Sequence, residues 1–143
     1  MKIETTILKN LLQNEDYARK VLPFLNDEYF TENSDKIVFN QINNFILKYN
    51  SLPNKEALNI ELGDAKITEE DFKDSVNLIT EISKDVQEFA DLSWLLDSTE
   101  KFCQDKAIYN AVVESISILD NPKSTADKGA IPDILSDALS VSF

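Results

Sequence analysis

The sequence has no histidine, and cysteine and glycine are scarce: its 143 residues include one Cys and two Gly. Without histidine there is no imidazole to act as a general base or a metal ligand. Two glycines cannot supply a glycine-rich phosphate loop. The lone Cys103 cannot form an internal disulfide, which is typical of a reducing compartment. These absences exclude most common active sites, so we expect no catalytic residue, no cofactor and no metal in this chain.

Long apolar runs are missing as well. No uninterrupted apolar stretch approaches the roughly 20 residues that a membrane-spanning helix requires. The N-terminus, from Met1 to Glu4, opens directly into a charged helical pattern and has no apolar region typical of a signal peptide. We therefore predict a soluble protein of the cytoplasm that does not insert into membranes.

Basic residues are outnumbered, with 14 Lys and Arg against 26 Asp and Glu and a net charge of −12. Residues 51–100 carry 4 basic and 13 acidic groups, so this third of the chain holds −9 of that charge. Because Lys and Arg contacts to phosphates supply most non-specific affinity for nucleic acid, we expect little direct DNA binding. An acidic face suits a basic protein partner better.

Apolar residues recur at helical spacing, and Gly and Pro fall between the segments, which predicts an all-α fold. Two small helices open the chain, and Pro23 ends or bends the second. Ser34 is predicted to cap the third helix, Gly63 to end the fourth in a left-handed cap, and Thr68 to open the fifth with a capping box. The apolar stripes of this bundle are Ile3, Ile7, Leu8, Leu11 and Leu12; Tyr17, Val21 and Leu22; Val38, Ile42, Phe45, Ile46 and Tyr49; and Phe72, Val76, Ile79 and Ile82.

A much longer helix follows the bundle. From about Asp91 to Leu119 nothing interrupts the helical pattern, and this length corresponds to about 43 Å at 1.5 Å per residue. A compact domain of this size is only roughly 37 Å across. The long helix is therefore predicted to protrude from the bundle.

A second helix completes a hairpin. Pro122 is predicted to stop the long helix, a polar loop follows to Lys128, and a last helix opens at Gly129. We therefore divide the chain into a helical bundle over residues 1–90 and a protruding helical hairpin over residues 91–143.

The long helix is apolar on more than one side. Between Ala107 and Leu119, 9 of 13 positions are apolar, whereas one hairpin partner can cover only one stripe. Large exposed apolar patches usually mark interaction surfaces, and the hairpin of a second copy is the simplest cover. The residues predicted to pack within the hairpin or across to that copy are Leu95, Phe102, Tyr109, Val112, Val113, Ile116, Ile131, Ile134, Leu135, Ala138 and Leu139.

Other reactive or aromatic residues have simpler interpretations. The carboxylates over residues 69–74 are predicted to compensate the charge of a helix N-terminus rather than to hold a metal ion. Cys103 is interpreted as a small buried hydrophobe, and Trp94 as a core anchor rather than a base-stacking platform. Phe24-Leu25 and Tyr29-Phe30 around an acidic turn could form a partner groove, but we favour their lining the core.

Several short segments, in order along nearly the whole chain, carry a family resemblance. They are Glu28-Tyr29-Phe30, Ser51-Leu52-Pro53, Ala57-Leu58-Asn59, Ser93-Trp94-Leu95, Thr99-Glu100-Lys101-Phe102, Lys106-Ala107, Asn110-Ala111, Gly129-Ala130-Ile131-Pro132-Asp133-Ile134 and Ala138-Leu139-Ser140-Val141-Ser142-Phe143. With this order and spacing, the sequence resembles the N-terminal domain of T-even-type phage replicative helicases, which belong to the DnaB-like group.

The resemblance implies a helical bundle with a protruding hairpin, placed before a RecA-like motor. It implies that the parent forms a hexameric ring, moves along single-stranded DNA by ATP hydrolysis and unwinds the fork. It also implies that the N-terminal domains pair through their hairpins into a collar that helps recruit primase, and that a helicase loader is a further partner. ATP and Mg would bind in the motor domain.

This sequence departs from the parent pattern because it has no counterpart of the motor's Walker A lysine loop or arginine finger. We therefore expect a fragment of a longer helicase in preference to a separately encoded collar. Two alternatives remain open at this stage. One is a free-standing acidic protein that mimics DNA or inhibits a basic partner, and the other is a carboxylate-metal enzyme.

Overall fold

The computed structural model describes residues 2–85, 90–121 and 127–143. This part of the chain contains seven α-helices and no β-strand, which confirms the predicted all-α class. The predicted stop at Pro122 and most of the polar loop after it lie outside the described residues. The helices are α1 (Ile3–Gln13), α2 (Glu15–Val21), α3 (Asn33–Tyr49), α4 (Lys55–Gly63), α5 (Glu69–Ile82), α6 (Leu92–Asp120) and α7 (Ile131–Leu139), with short 3₁₀ turns at Leu22–Phe24, Asp27–Tyr29 and Lys128–Ala130.

The first five helices, α6 as far as Ala111, and Ala138 of α7 share one hydrophobic core. Their inward faces are apolar at intervals of three and four residues, so each helix buries one stripe. Polar side chains link helices that are distant in sequence: Gln13 Nε2 donates to the Ile82 carbonyl at 2.6 Å, and the hydroxyls of Tyr17 and Thr99 lie 2.7 Å apart. The largest fully buried side chains are Tyr17, Phe30, Phe39, Ile7, Leu8, Leu11, Ile42, Leu58, Leu62, Ile79, Ile82 and Leu95.

Side-chain caps begin four of the helices. Thr68 accepts a hydrogen bond from the Asp71 backbone N–H at 3.1 Å, which confirms the predicted cap of α5. In each case an oxygen satisfies a backbone donor that the first helical turn leaves unpaired. The other capping residues are Asn14 for α2, Asn54 for α4 and Asp91 for α6.

Two predicted helix boundaries were wrong. Ser34 does not cap α3, because the helix begins at Asn33 and the serine already lies within its first turn. Gly63 does not adopt a left-handed conformation, since it is the last residue of α4 and is followed by Asp64 in a right-handed conformation. The left-handed residue is Asn50, with φ 53°, at the end of α3. Asparagine tolerates this conformation better than most side chains, so Asn50 replaces glycine as a cap.

Three aromatic residues that were predicted to be inward are exposed. Tyr49 lies in the last turn of α3 and packs on Phe45 outside the core, with ring centroids 4.7 Å apart. Phe72 is near the start of α5, where the helix has not yet reached the core. Trp94 is 54% exposed, because its neighbour Leu95 occupies the inward position at the start of α6. The residue that anchors the start of α6 in the core is therefore Leu95, and the prediction for Trp94 was wrong.

The long helix and the hairpin are present as predicted. α6 has 29 residues, and α7 runs antiparallel to it, so that the segment after α7 returns towards the middle of α6. Gln104 Nε2 donates to the Val141 carbonyl at 3.0 Å, and the Phe143 backbone N–H donates to Glu100 at 2.7 Å. The division of the chain at residue 90 stays a prediction. Among the described residues, no helix combines the length and hydropathy needed to cross a membrane.

Candidate self-association surface

One side of α6 packs against α7 and against the bundle of the first five helices. In the second half of the helix, the buried side chains on this side are small, at Ala107, Ala111 and Ser115, with Ile118 beyond them. The Ser115 hydroxyl donates to the Ala111 carbonyl at 2.7 Å, so burial leaves it satisfied. Small side chains allow two helix backbones to approach closely, and Ala138 of α7 is buried on the facing side. The side chains on this side of α6 are therefore buried within one chain and need no second copy to cover them.

The opposite side of the same half of α6 is apolar and exposed. At 100° per residue, its members are centred on the side of the helix away from the buried alanines. Tyr109 is 64% exposed and Ile116 is 51% exposed. We call this surface the outward face, and it consists of Ile108, Tyr109, Val112, Val113, Ile116 and Leu119. A contiguous apolar stripe of this kind is typical of an interaction surface.

The chemistry of the outward face suits burial against a second apolar surface. Its six side chains include no formal charge at neutral pH, so burying them does not strip water from an ion. The one polar group is the Tyr109 hydroxyl, at the end of a ring that lies 5.9 Å from the ammonium group of Lys106. Asp105 lies one turn before Tyr109 and Asp120 one turn after Ile116, and both are exposed, so their charges can remain in water at the rim of an interface.

The predicted interface residues fall into three groups. Leu95 and Phe102 are buried in the core of a single chain, and the Phe102 ring centroid is 5.6 Å from that of Phe30. On the outward face lie Tyr109, Val112, Val113 and Ile116. On α7, the side chains of Ile131, Ile134 and Leu135 are half-buried, Ala138 is buried and Leu139 is exposed.

Sequence reasoning left two members of the outward face, Ile108 and Leu119, out of the interface. Both belong to the apolar run, and helical spacing from Val112 could have placed them on the same side. Whether any of these residues contact a second copy stays a prediction.

The candidate reactive groups belong to the core or to helix ends. Burial raises the pKa of the Cys103 thiol to about 12, with a smaller contribution from the charge of Glu100. The thiol is fully buried, as predicted, and protonated at neutral pH. Glu69, Glu70 and Asp71 lie in the first turn of α5, where their charge complements the helix dipole. Across the described ranges, no three potential ligand side chains converge on a metal position.

Comparison with known proteins gives a match to a phage protein. The chain is 35% identical to the DnaB-like replicative helicase of Enterobacteria phage T4, in an alignment of 145 positions that covers 96% of this chain. The chain spans about 30% of the length of that relative. No protein-family model matches the chain. The resemblance to a phage DnaB-like replicative helicase is therefore confirmed, over almost all of this chain and over a minority of the relative.

Proposed function

We propose that this chain is the N-terminal collar domain of a phage DnaB-like replicative helicase and that it joins helicase subunits through its hairpin. The identity to the T4 protein supports a role in DNA replication. The main support for self-association is the outward face of α6, which α7 leaves exposed. Two outward faces brought together by a two-fold axis would pack α6 of one copy against α6 of the other.

An estimate of the interface energy sets the expected affinity. Each half-exposed Val, Ile, Leu or Tyr side chain contributes about 1 kcal/mol when its remaining surface is buried. Six side chains from each of two copies then give about 12 kcal/mol, against an association cost of about 4–15 kcal/mol. The isolated domains should therefore pair no more tightly than about micromolar. In a ring, the linkage of each collar domain to a motor raises its effective concentration and allows such a weak contact to assemble.

The remaining functions belong to the parent protein. In this proposal the parent is a hexamer that unwinds the replication fork, with ATP and Mg bound in a motor domain that these 143 residues do not contain. The collar organises the subunits and recruits primase, and a loader is a further partner. The resemblance supports these roles, and finding a Walker A loop in the reading frame downstream of Phe143 would test them.

A pair of variants tests the self-association. Ile116→Asp places a charge in the centre of the outward face, where a paired interface offers it no partner. Leu47→Asp makes the same change at an apolar side chain on α3 that is 75% exposed and lies outside the hairpin. We expect size-exclusion chromatography with light scattering to show a monomer for Ile116→Asp, and the oligomer of the unmodified chain for Leu47→Asp. Equal masses for the two variants would contradict the proposal.

A further inference from the structure

A second surface lies where the hairpin meets the body. A cleft of about 240 Å³ opens between the turn at Asp27–Tyr29, α6 and α7. Alanine side chains at positions 107, 111 and 138 line it, and small side chains leave a shallow apolar floor. The acidic side chains that line the cleft come one from each element: Glu28 from the turn, Glu114 from α6 and Asp137 from α7.

Among the described residues, none of these three carboxylates forms an ion pair. Within the described ranges, the only ion pair joins Arg19 and Glu15 on α2. Lys106 Nζ, on the same helix as Glu114, donates instead to the Thr31 hydroxyl at 3.2 Å. The cleft is also held in place, because Asn110 Nδ2 donates to the Glu28 carbonyl at 3.0 Å and ties the turn to α6. A fixed apolar floor with a negative rim is complementary to a cationic group that has an apolar stem.

The size and shape of the cleft select one kind of occupant. It is smaller than the roughly 300–1,000 Å³ of pockets that hold cofactors or drug-sized ligands. Arginine has an apolar stem that packs on apolar surface and a planar guanidinium that donates to several carboxylates at once. We propose that this cleft binds an arginine side chain presented by a basic segment of a partner protein.

The partner is a different protein rather than a second copy. The sequence has one arginine, Arg19, which already donates to Glu15 at 2.8 Å and to the Asn50 side chain at 3.1 Å. The cleft also lies on the side of α6 opposite the outward face, so it stays open when two hairpins pair. The inference therefore rests on the cleft and not on the proposed self-association or helicase role.

A peptide titration tests the inference on the unmodified chain. The probe is acetyl-Ala-Arg-Ala-Arg-Ala-amide, and its control carries citrulline in place of both arginines, which keeps the shape and removes the charge. With ¹⁵N-labelled protein, we expect the arginine peptide to shift the amide resonances of Glu28, Asn110, Glu114 and Asp137, and the citrulline peptide to leave them in place. Shifts that map to other acidic surfaces, or that both peptides cause, would overturn the inference.

Two variants of equal net charge separate this cleft from general attraction to an acidic protein. The first combines Glu28→Gln, Glu114→Gln and Asp137→Asn. The second neutralises three exposed carboxylates of α5, with Glu69→Gln, Glu70→Gln and Asp74→Asn. We expect the first to weaken binding of the arginine peptide at least about fivefold and the second to change it less than about twofold. Equal weakening by the two variants would show non-specific attraction and overturn the inference.

Discussion

At the scale of single residues, a chain of two buried hydroxyls joins the body to the long helix. The Thr99 hydroxyl donates to the Leu95 carbonyl at 2.7 Å, so the Tyr17 hydroxyl, also 2.7 Å from Thr99, is the donor in their shared bond. Both side chains are fully buried. The two removals therefore have different consequences. Removing the Thr99 hydroxyl leaves the Tyr17 hydroxyl without an acceptor, whereas removing the Tyr17 hydroxyl leaves the bond from Thr99 to Leu95 intact.

Thr99→Val leaves the Tyr17 hydroxyl buried without an acceptor, which should lower the free energy of unfolding by about 1–3 kcal/mol. Tyr17→Phe should cost less than about 1 kcal/mol, since Thr99 keeps its bond to the Leu95 carbonyl. Urea unfolding at one protein concentration compares the two variants. Losses of equal size would contradict the assigned direction of the hydrogen bond.

The buried thiol predicts a dependence of stability on alkaline pH. The pKa of Cys103 is about 12 in the folded chain, and its ordinary value is 9.0. Because the folded pKa is raised, its contribution to stability is fully present below about pH 9 and is lost as pH rises towards 12. Burial also raises the pKa of Tyr17, which adds to the loss at higher pH.

Between pH 8 and pH 10, this one group should remove about 1.4 kcal/mol from the free energy of unfolding. Cys103→Ala has no thiol to ionise. Its free energy of unfolding should therefore fall by about 1.4 kcal/mol less than that of the unmodified chain between the same two pH values. Urea unfolding of both chains at the two pH values measures the difference. A parallel loss in the two chains would show that the thiol is not the group responsible.

At the scale of elements, helix ends are decided by backbone geometry that composition alone does not reveal. Gly63 lies within α4, at the helical position before Asp64, and a Cβ added there meets nothing within 4 Å. The left-handed position belongs to Asn50, which is also held by Arg19. The two residues should therefore respond in opposite ways to alanine.

Gly63→Ala should raise the free energy of unfolding by about 0.5–1 kcal/mol, because alanine restricts the unfolded chain and suits a helix. Asn50→Ala should lower the free energy of unfolding, since it strains a left-handed residue and removes an acceptor from Arg19. Thermal unfolding measures both shifts. A destabilised Gly63→Ala would mean that the glycine is the left-handed cap after all.

The first turns of α3 and α5 provide a matched pair of hydroxyl residues. Thr68 caps α5, so Thr68→Ala should cost about 1 kcal/mol. Ser34 lies inside α3 and makes no cap, so Ser34→Ala should change stability by less than about 0.5 kcal/mol. Urea midpoints compare the two, and a larger loss at Ser34 would contradict the observed start of α3.

Sequence periodicity identified the helices because each one buries a stripe, and the length of α6 followed from the lack of any helix-breaking residue between Leu92 and Asp120. It could not decide which of two adjacent apolar residues turns inward, as with Trp94 and Leu95. The cleft could not be predicted from the sequence. Glu28, Glu114 and Asp137 are far apart in sequence, and only the packing of the hairpin against the turn brings them together.

At the scale of the whole molecule, α6 connects two surfaces with different chemistry. Its first half is part of the common core, and its second half carries the outward face on one side and the floor of the cleft on the other. The apolar outward face is suited to a second copy of the same chain, since a two-fold axis makes such a surface self-complementary. The acidic cleft is suited to a cationic side chain from another protein. If both proposals hold, the hairpin binds a second copy and another protein at the same time.

Sedimentation equilibrium of the unmodified 143-residue chain, over about 1–200 μM, tests the central claim that the outward face joins two copies. Pairing at about micromolar, which is the tight end of the estimate, makes the average mass rise with concentration from the 16.2 kDa of one chain towards at least twice that value. An average mass that stays at 16.2 kDa over the whole range would contradict the account.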